Sequence, residues 1–210
     1  MYDNDLFKKY EQLAAKADQA FQKIGRDYGT SIKCVLQCSD CCNAIFGLFL
    51  IEVAFIQHHF NQLDGTVRHE VVVRADKADK DLKKIEEKLQ AHDDDPHMKS
   101  YALSKERVRC PLLDKNRECT LYPFRPITCR VYGIPTAIQR KARVCGKAAF
   151  KKGESYPTFD LDAAYGELYR LSKELLTQAG LKDMEKASLL YSVSKAIRTP
   201  LKALILGNPE

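Results

Sequence analysis

The sequence has no apolar run long enough to cross a membrane and no apolar N-terminal segment of the kind that directs secretion. Its longest apolar stretch, residues 44–56, is interrupted by Glu52, whereas a membrane span needs about 18–20 consecutive apolar residues. The opening residues, MYDNDLFKKYEQ, place acids where a signal peptide has its basic and apolar regions. These absences predict a chain that stays in the cytoplasm and has no membrane partner.

Several catalytic motifs are missing as well. No G-x-G occurs anywhere in the 210 residues, so nothing marks a Rossmann-type nucleotide site. No Ser/His/Asp set, paired-carboxylate motif or phosphate loop supports hydrolase or kinase chemistry. Global disorder is excluded, because 45% of the residues are hydrophobic and can form a core.

The sequence instead contains eight cysteines in two groups. A protein of a reducing compartment rarely uses so many cysteines for disulfides, and short spacings let neighbouring thiolates converge on one ion or cluster. The pattern therefore predicts a metal site assembled from both groups, in preference to a disulfide set or to separately buried thiols. The candidate ligands are Cys34, Cys38, Cys41 and Cys42 in the first group and Cys110, Cys119, Cys129 and Cys145 in the second.

The spacings favour iron over zinc. Structural zinc sites typically use C-x2-C pairs, and the only such pair here is Cys38-x2-Cys41. Iron–sulfur clusters accept thiolates from distant segments, so we expect a [4Fe–4S]-type or other iron centre, with zinc as the alternative. The first four ligands that we expect are Cys38, Cys41, Cys110 and Cys129, followed by Cys42 and Cys119.

A second cluster motif competes for the first group. The spacing Cys34-x3-Cys38-x2-Cys41 is also that of the radical adenosylmethionine motif, but helical patterns flank it here. In addition, Cys42 adds a fourth thiol where that motif leaves one iron open. We therefore favour a cysteine-ligated centre without that chemistry.

Positive charge is concentrated around the second group. Residues 105–152 carry thirteen Lys and Arg against three acids. Within this segment we expect Arg125 and Arg130 to bind the cofactor, by donating hydrogen bonds to its thiolates or to nearby carbonyls and by compensating their charge. Alternatively, the segment is a solvated basic face or docks an acidic protein. Nucleic acid is less favoured, because the few aromatic residues lie among prolines instead of alternating with the charges.

The hydrophobic pattern predicts one mainly α domain over residues 1–210, in which helices pack around an irregular, proline-rich, cysteine-ligated metal-binding segment. Its parts are an N-terminal helix within 3–30, a metal-binding core over 34–150 with a long helical insertion over 44–91, and C-terminal helices over 160–206. Prolines exclude long regular elements from 98 to 158. Coordinate bonds then replace the missing core there.

Caps and stop signals give expected helix boundaries. We predict that Gly25 ends the first helix and that Asn43 caps a helix over 44–63. A long amphipathic helix over 66–91 follows, and its apolar stripe packs internally or, alternatively, forms a homodimer. Near the end of the chain, Asp160 caps a helix that stops at Gly180, and Asp183 starts a second one that ends before residue 200.

The cysteine segments resemble a known family. The stretches CVLQCSDCCNAIFGLFLIEVAFI and CPLLDKNRECTLYPFRPITCRVYGIP, followed by a last cysteine, are similar to the CxxCxxCC-type (YkgJ-like) domains. The resemblance covers roughly residues 34–150 and implies a zinc- or iron-chelating domain. We therefore expect a metal-binding protein with a redox, sensing or enzymatic role, or alternatively a zinc-stabilised interaction module.

Overall fold

The computed structural model describes residues 4–35 and 37–206, and the chain is mainly α-helical, as the sequence predicts. None of the helices in this described part is long and apolar enough to cross a membrane. The helices are α1 (Asn4–Tyr28), α2 (Leu50–Phe60), α3 (Gly65–Leu89), α4 (Pro96–Lys105), α5 (Ile127–Val131), α6 (Leu161–Gln178), α7 (Val193–Arg198) and α8 (Leu201–Leu206).

Helix α1 follows the predicted apolar stripe but does not stop at the predicted position. Leu6, Tyr10 and Ala17 are fully buried along one face, which is the pattern of an amphipathic helix on a core. The helix continues through Gly25 to Tyr28 and then tightens into a 3-10 turn, Gly29–Ser31. The prediction of a stop at Gly25 was wrong, because this face still packs there, where Ile24 is 4% exposed.

Helix α2 is the buried centre of the fold and begins later than predicted. Eight of its eleven residues are buried, so no polar face reveals its period in the sequence. The predicted cap at Asn43 was wrong: that residue closes a 3-10 turn, Cys41–Asn43. Leu48 instead pairs with Tyr191 in an isolated antiparallel bridge, so the chain is extended up to Leu50 and only then becomes helical.

Helix α3 lies close to the predicted 66–91. The Asp64 carboxylate caps it by accepting the Thr66 N–H at 2.8 Å. Its buried residues Val71, Ala75 and Ala78 lie on a helix packed against α7. The apolar stripe is therefore used, at least along these residues, within the chain itself.

The C-terminal region agrees with the prediction at α6 and departs from it afterwards. The Asp160 side chain accepts the Ala163 N–H at 2.9 Å, and Gly180 has φ +77° just beyond the helix end, where glycine is favoured. The predicted helix from Asp183 was wrong. A 3-10 turn, Glu185–Ser188, precedes the extended bridge at Tyr191, and α7 starts only after it.

The segment from 98 to 158 contains short elements that the sequence did not predict. Besides α4 and α5, it contributes β1 (Thr136–Ile138) and β2 (Lys141–Arg143), an antiparallel pair to which β3 (Phe159–Asp160) adds in parallel, in the order β2-β1-β3. The strands have only two or three residues, too few for an alternating pattern. Gln139 and Arg140 make the β1–β2 turn with φ of +50° and +59°.

Candidate metal centre

The cysteines of both groups meet around two adjoining cavities. The larger cavity, of about 490 Å³, is lined by seven of the eight. The smaller, of about 70 Å³, is lined by five. The residues common to both cavities are Cys41, Cys42, Cys119, Cys129 and Arg125. These four cysteines therefore form the wall between the cavities, with Cys110 on one side and Cys34, Cys38 and Cys145 on the other.

Two backbone hydrogen bonds join the first cysteine group to the second. The Cys110 N–H donates to the Cys42 carbonyl at 2.7 Å, and the Val108 N–H donates to the Asn43 carbonyl at 3.1 Å. The Asn43 amide also donates to the Ser39 carbonyl at 2.7 Å, which closes the turn that carries Cys41 and Cys42. This pairing brings the segments together although about 65 residues of chain separate them.

The Cys34–Cys38 loop reaches the larger cavity through an unusual turn. Gln37 has φ +65°, in the left-handed region that few non-glycine residues adopt, and the Cys38 N–H donates to the Val35 carbonyl at 2.9 Å. The Cys34 thiol then lies so close to Gly133 that a Cβ built there would be 2.2 Å from its sulfur. Only glycine leaves room for Cys34 in this position.

A buried carboxylate supports the helix that carries Cys129. Glu52, which is 2% exposed, accepts the Ile127 N–H at the start of α5 at 3.0 Å and the Phe49 N–H at 3.1 Å. Burial raises the pKa of Glu52 to about 7, although the two backbone bonds and Arg130 oppose this. Glu52 thus fixes the first turn of α5 against α2.

Cys145 is held at the rim of the larger cavity by an acid. Its thiol donates to Asp40 Oδ2 at 3.4 Å, and Asp40 also accepts from the Tyr132 hydroxyl at 3.3 Å. Lys147 pairs with the other oxygen of Asp40 at 3.5 Å. Asp40 therefore orients a cysteine, a tyrosine and a lysine from three different parts of the sequence.

Cys41 and Cys42 bring two thiols into contact. Their sulfurs are 3.9 Å apart. The Cys42 thiol, together with backbone N–H groups and Arg125, lowers the pKa of Cys41 to about 7 against the effect of burial. The same contact raises the pKa of Cys42. The first proton of this pair leaves near neutral pH, which makes Cys41 the thiolate that is most readily available.

The remaining shifted thiols are kept neutral by their surroundings. Burial raises the pKa of Cys34 to about 11 and that of Cys110 to about 12. Burial also raises the pKa of Cys119, Cys129 and Cys145. Thiolates crowded together in an apolar pocket repel one another, so a positive centre is needed before they ionise together.

The two predicted arginines take different positions. Arg130 is buried and donates to the carbonyls of Arg125 and Pro123 at 2.9 and 2.7 Å and to Asp18 at 2.5 Å. Arg125 stacks over the Tyr122 ring at 4.0 Å, and its charge acts to lower the pKa of Cys41 and Cys119. Arg125 is thus the arginine whose charge acts on the thiols of the shared wall.

The donor set fits a soft or borderline metal. Thiolates select zinc, Cu(I) and iron–sulfur clusters over hard cations such as magnesium. Within residues 4–35 and 37–206, no group of three or more His, Cys, Asp or Glu side chains is arranged to hold one metal ion. The case for a metal therefore depends on the thiol chemistry of the side chains and on the cavities that they line together.

Sequence reasoning missed three residues that organise this site. Asp40, Glu52 and Arg117 were not singled out, yet Arg117 also lines the larger cavity and donates to Ser39 Oγ at 3.2 Å. Glu52 carried a signal, because it is the only charge within the apolar stretch 44–56. An isolated acid in such a stretch is either paired or hydrogen-bonded. Asp40 and Arg117 stand in polar loops, where nothing distinguishes them from solvated charges.

Comparison with known proteins gives one family. No curated protein and no solved structure matches the chain. Residues 33–146 match the CxxCxxCC family, which is described as a "putative zinc- or iron-chelating domain". This match covers more than half of the chain and includes all eight cysteines. The chain therefore belongs to the CxxCxxCC family of zinc- or iron-chelating domains.

Proposed function

We propose that this chain binds an iron–sulfur cluster of the [4Fe–4S] type, or another iron centre, and uses it in a redox or sensing role. The observation that supports the proposal is the larger cavity of about 490 Å³, which seven cysteines line. A single zinc ion needs no such space, because four sulfurs at about 2.3 Å enclose it completely. A cavity that is surrounded by thiols instead suits a polyatomic centre whose irons each take one thiolate.

The cysteines of the shared wall are the first ligands in this proposal. Cys41, Cys119 and Cys129 lie on different segments and border both cavities. Cys42 completes the wall, Cys110 extends the set on one side, and Cys34, Cys38 and Cys145 extend it on the other. An iron–sulfur cluster supplies electron transfer, and the charge of Arg125 acts on the wall thiols where the centre would gain or lose charge.

A second candidate function is a zinc-stabilised interaction module. It is favoured by the 3.9 Å between the sulfurs of Cys41 and Cys42, since two thiolates on one tetrahedral zinc lie about 3.8 Å apart at the usual Zn–S distance. In this alternative the metal stabilises the fold, and the basic segment 105–152 docks an acidic protein.

The test is to purify the full chain without oxygen, record its visible absorption spectrum, and quantify iron, sulfide and zinc on the same sample. Broad absorption near the iron–sulfur charge-transfer region, with iron and sulfide in equal amounts, supports the first proposal. A colourless protein with one or two zinc ions per chain overturns it in favour of the second.

Variants connect that measurement to the ligands. Cys129→Ser and Cys119→Ser should each lower the metal content, because their sulfurs line the shared wall. Ser188→Ala, at an exposed position in the C-terminal 3-10 turn, is a control that should leave the metal content unchanged. If both cysteine variants keep the full metal content, the shared wall does not hold the metal.

A further inference from the structure

A third cavity lies beside the cysteines, and neither the family nor the proposed function assigns it a role. Its volume is about 500 Å³, which is within the range of small-molecule sites. Its polar lining includes Arg107, Arg143 and Lys147, and apolar side chains such as Phe46 and Val131 complete it. A concave pocket that combines apolar side chains with a few convergent polar groups is the usual form of a ligand site.

The charges of this cavity are unbalanced in favour of an anion. The one acid among its lining residues is Asp40, which pairs with Lys147 at 3.5 Å. One guanidinium nitrogen of Arg107, Nη1, donates hydrogen bonds to the carbonyls of Ser104 and Glu106 at 3.0 and 2.8 Å. Within the described residues, neither Arg107 nor Arg143 has a carboxylate partner. Two guanidinium groups are therefore available to a ligand.

The charge of each of these arginines acts on a tyrosine that lines the same cavity. Burial raises the pKa of Tyr132 and Tyr165, and the charges of Arg107 and Arg143, respectively, oppose that rise. Thr128 Oγ1 lies 3.4 Å from the Tyr165 hydroxyl. The cavity thus combines two charged groups with the hydroxyl pair of Thr128 and Tyr165, of which one hydroxyl proton is left for the oxygens of an acidic group. The Tyr132 hydroxyl, by contrast, is used by Asp40.

The cavity also borders the cysteines directly. Asp40, Tyr132 and Cys145 line both this cavity and the larger cysteine cavity, and Asp40 accepts from Tyr132 and from Cys145. A molecule in the third cavity therefore contacts the same three side chains that close the rim of the candidate metal centre.

We propose that this cavity is a binding site for a small organic anion, with its carboxylate or phosphate between Arg107 and Arg143 and its apolar part against Phe46 and Val131. The ligand lies next to Asp40, Tyr132 and Cys145, at the edge of the cysteine cavity. A small molecule fits better than an acidic protein, because the cations lie around a concave recess of about 500 Å³ and not on a flat face. The site does not depend on which metal the cysteines hold.

The test uses anilinonaphthalene sulfonate, a small aromatic anion whose fluorescence rises in apolar surroundings, on the full chain as purified. Benzoate should displace the probe, whereas benzamide, its neutral counterpart, should not. Inorganic phosphate displaces the probe if the acidic group alone is recognised. If phosphate does not displace the probe and benzoate does, the apolar part of the ligand is needed as well. Displacement by benzamide as strong as that by benzoate overturns the proposal.

Two double variants separate a built site from general positive charge. Arg107→Gln/Arg143→Gln should weaken probe binding about tenfold or more, because it removes two charge-assisted contacts. Arg140→Gln/Lys141→Gln removes the same charge from the β1–β2 hairpin outside the cavity and should change binding by no more than about twofold. Equal effects of the two pairs would overturn the proposal.

The metal content and helical circular dichroism of every variant are measured on the same samples. Arg107 and Arg143 are exposed and make few internal bonds, so both quantities should match the parent protein. Loss of probe binding with unchanged metal content supports the anion site independently of the proposed function. Conversely, a protein without iron that still binds the probe contradicts only the iron proposal.

Discussion

At the scale of single residues, the most consequential side chain outside the cysteines is Glu52. It is fully buried and bonded to two backbone N–H groups, and burial raises its pKa to about 7 from 4.5. Between these two values the folded state keeps a proton that the unfolded state has lost. The stability that Glu52 contributes must therefore fall as the pH rises through this window.

Glu52→Gln tests this linkage, because the amide cannot titrate. The stability of the parent protein relative to the variant should decrease between pH 5 and pH 7 by up to about 3 kcal/mol. Urea unfolding of both proteins across that range measures the difference, in which groups common to both cancel. Parallel stability profiles would show that the buried carboxylate does not titrate in this range.

Gly133 decides whether Cys34 can remain in the cavity. A Cβ at this position would meet the Cys34 sulfur at 2.2 Å and Phe21 at 3.3 Å. Since the sulfur is the end of a flexible side chain, Gly133→Ala should cost only about 1 kcal/mol while moving Cys34 outward. The variant should therefore be alkylated faster at Cys34, which peptide mass spectrometry can follow.

Gly146→Ala is the matched control, because a Cβ there has no neighbour within 4 Å. It should leave the alkylation rate of Cys34 unchanged. Metal content adds a second result: it falls in Gly133→Ala only if Cys34 is a ligand. An unchanged alkylation rate in Gly133→Ala would mean that Cys34 is not confined by this contact.

At the scale of elements, α5 depends on the ion pairs that tie it to α1. Arg130 pairs with Asp18, as does Arg125 at 3.6 Å. Arg130→Leu should cost roughly 2 kcal/mol, less than the loss of a fully buried pair because the Asp18 side chain is 36% exposed. Because α5 carries Cys129, both Arg130→Leu and Arg125→Leu should lower metal retention during dialysis.

Arg125→Leu and Arg130→Leu should lower metal retention for different reasons. Arg125 acts through its charge on Cys41 and Cys119, so Arg125→Lys should restore much of the retention. Arg130 acts through its three-way hydrogen bonding, which the single ammonium of Arg130→Lys cannot reproduce. Full metal retention in both leucine variants would contradict a role for either arginine at the centre.

The helices were predictable where one face is buried and the opposite face is exposed to solvent. Helices α1, α3 and α6 have such stripes, and in α6 the predicted cap Asp160 and stop Gly180 also act as expected, whereas α1 runs past its predicted stop at Gly25. Helix α2 has no polar face, so its sequence shows no helical period. The bridge between Leu48 and Tyr191 keeps the chain extended at both residues, where the sequence predicted helices. That tertiary pairing, which joins residues 143 positions apart, is invisible to local reading.

At the scale of the whole molecule, the two cysteine groups were predictable and their arrangement was not. Thiol chemistry and spacing predicted a shared site. Four cysteines form the shared wall, Cys110 lines only the smaller cavity, and Cys34, Cys38 and Cys145 line only the larger one. This division depends on backbone hydrogen bonds such as that from Cys110 N–H to the Cys42 carbonyl. Asp40 joins this arrangement only through folding, since its partners Tyr132 and Cys145 lie 92 and 105 residues away.

The environment of the thiols makes metal binding by the whole molecule dependent on pH. A free thiol is mostly protonated at neutral pH, and burial raises the pKa of most of these thiols further, to about 12 for Cys110, while that of Cys41 is lowered to about 7. A metal binds the thiolate, so each ligating thiol that is neutral beforehand must release a proton. Metal affinity should therefore fall as the pH is lowered, by about tenfold per pH unit for every proton released.

The number of protons released when a metal binds shows how many thiols ligate it, whichever metal the protein holds naturally. Zinc added to the metal-free chain in weak buffer at pH 7 should release between about three and four protons per ion bound, if four thiols ligate and only Cys41 is partly ionised. Calcium, which prefers oxygen ligands, should release none. Release of fewer than about three protons with zinc bound would mean that side chains other than thiols supply part of the ligand set, because carboxylates are already ionised at this pH.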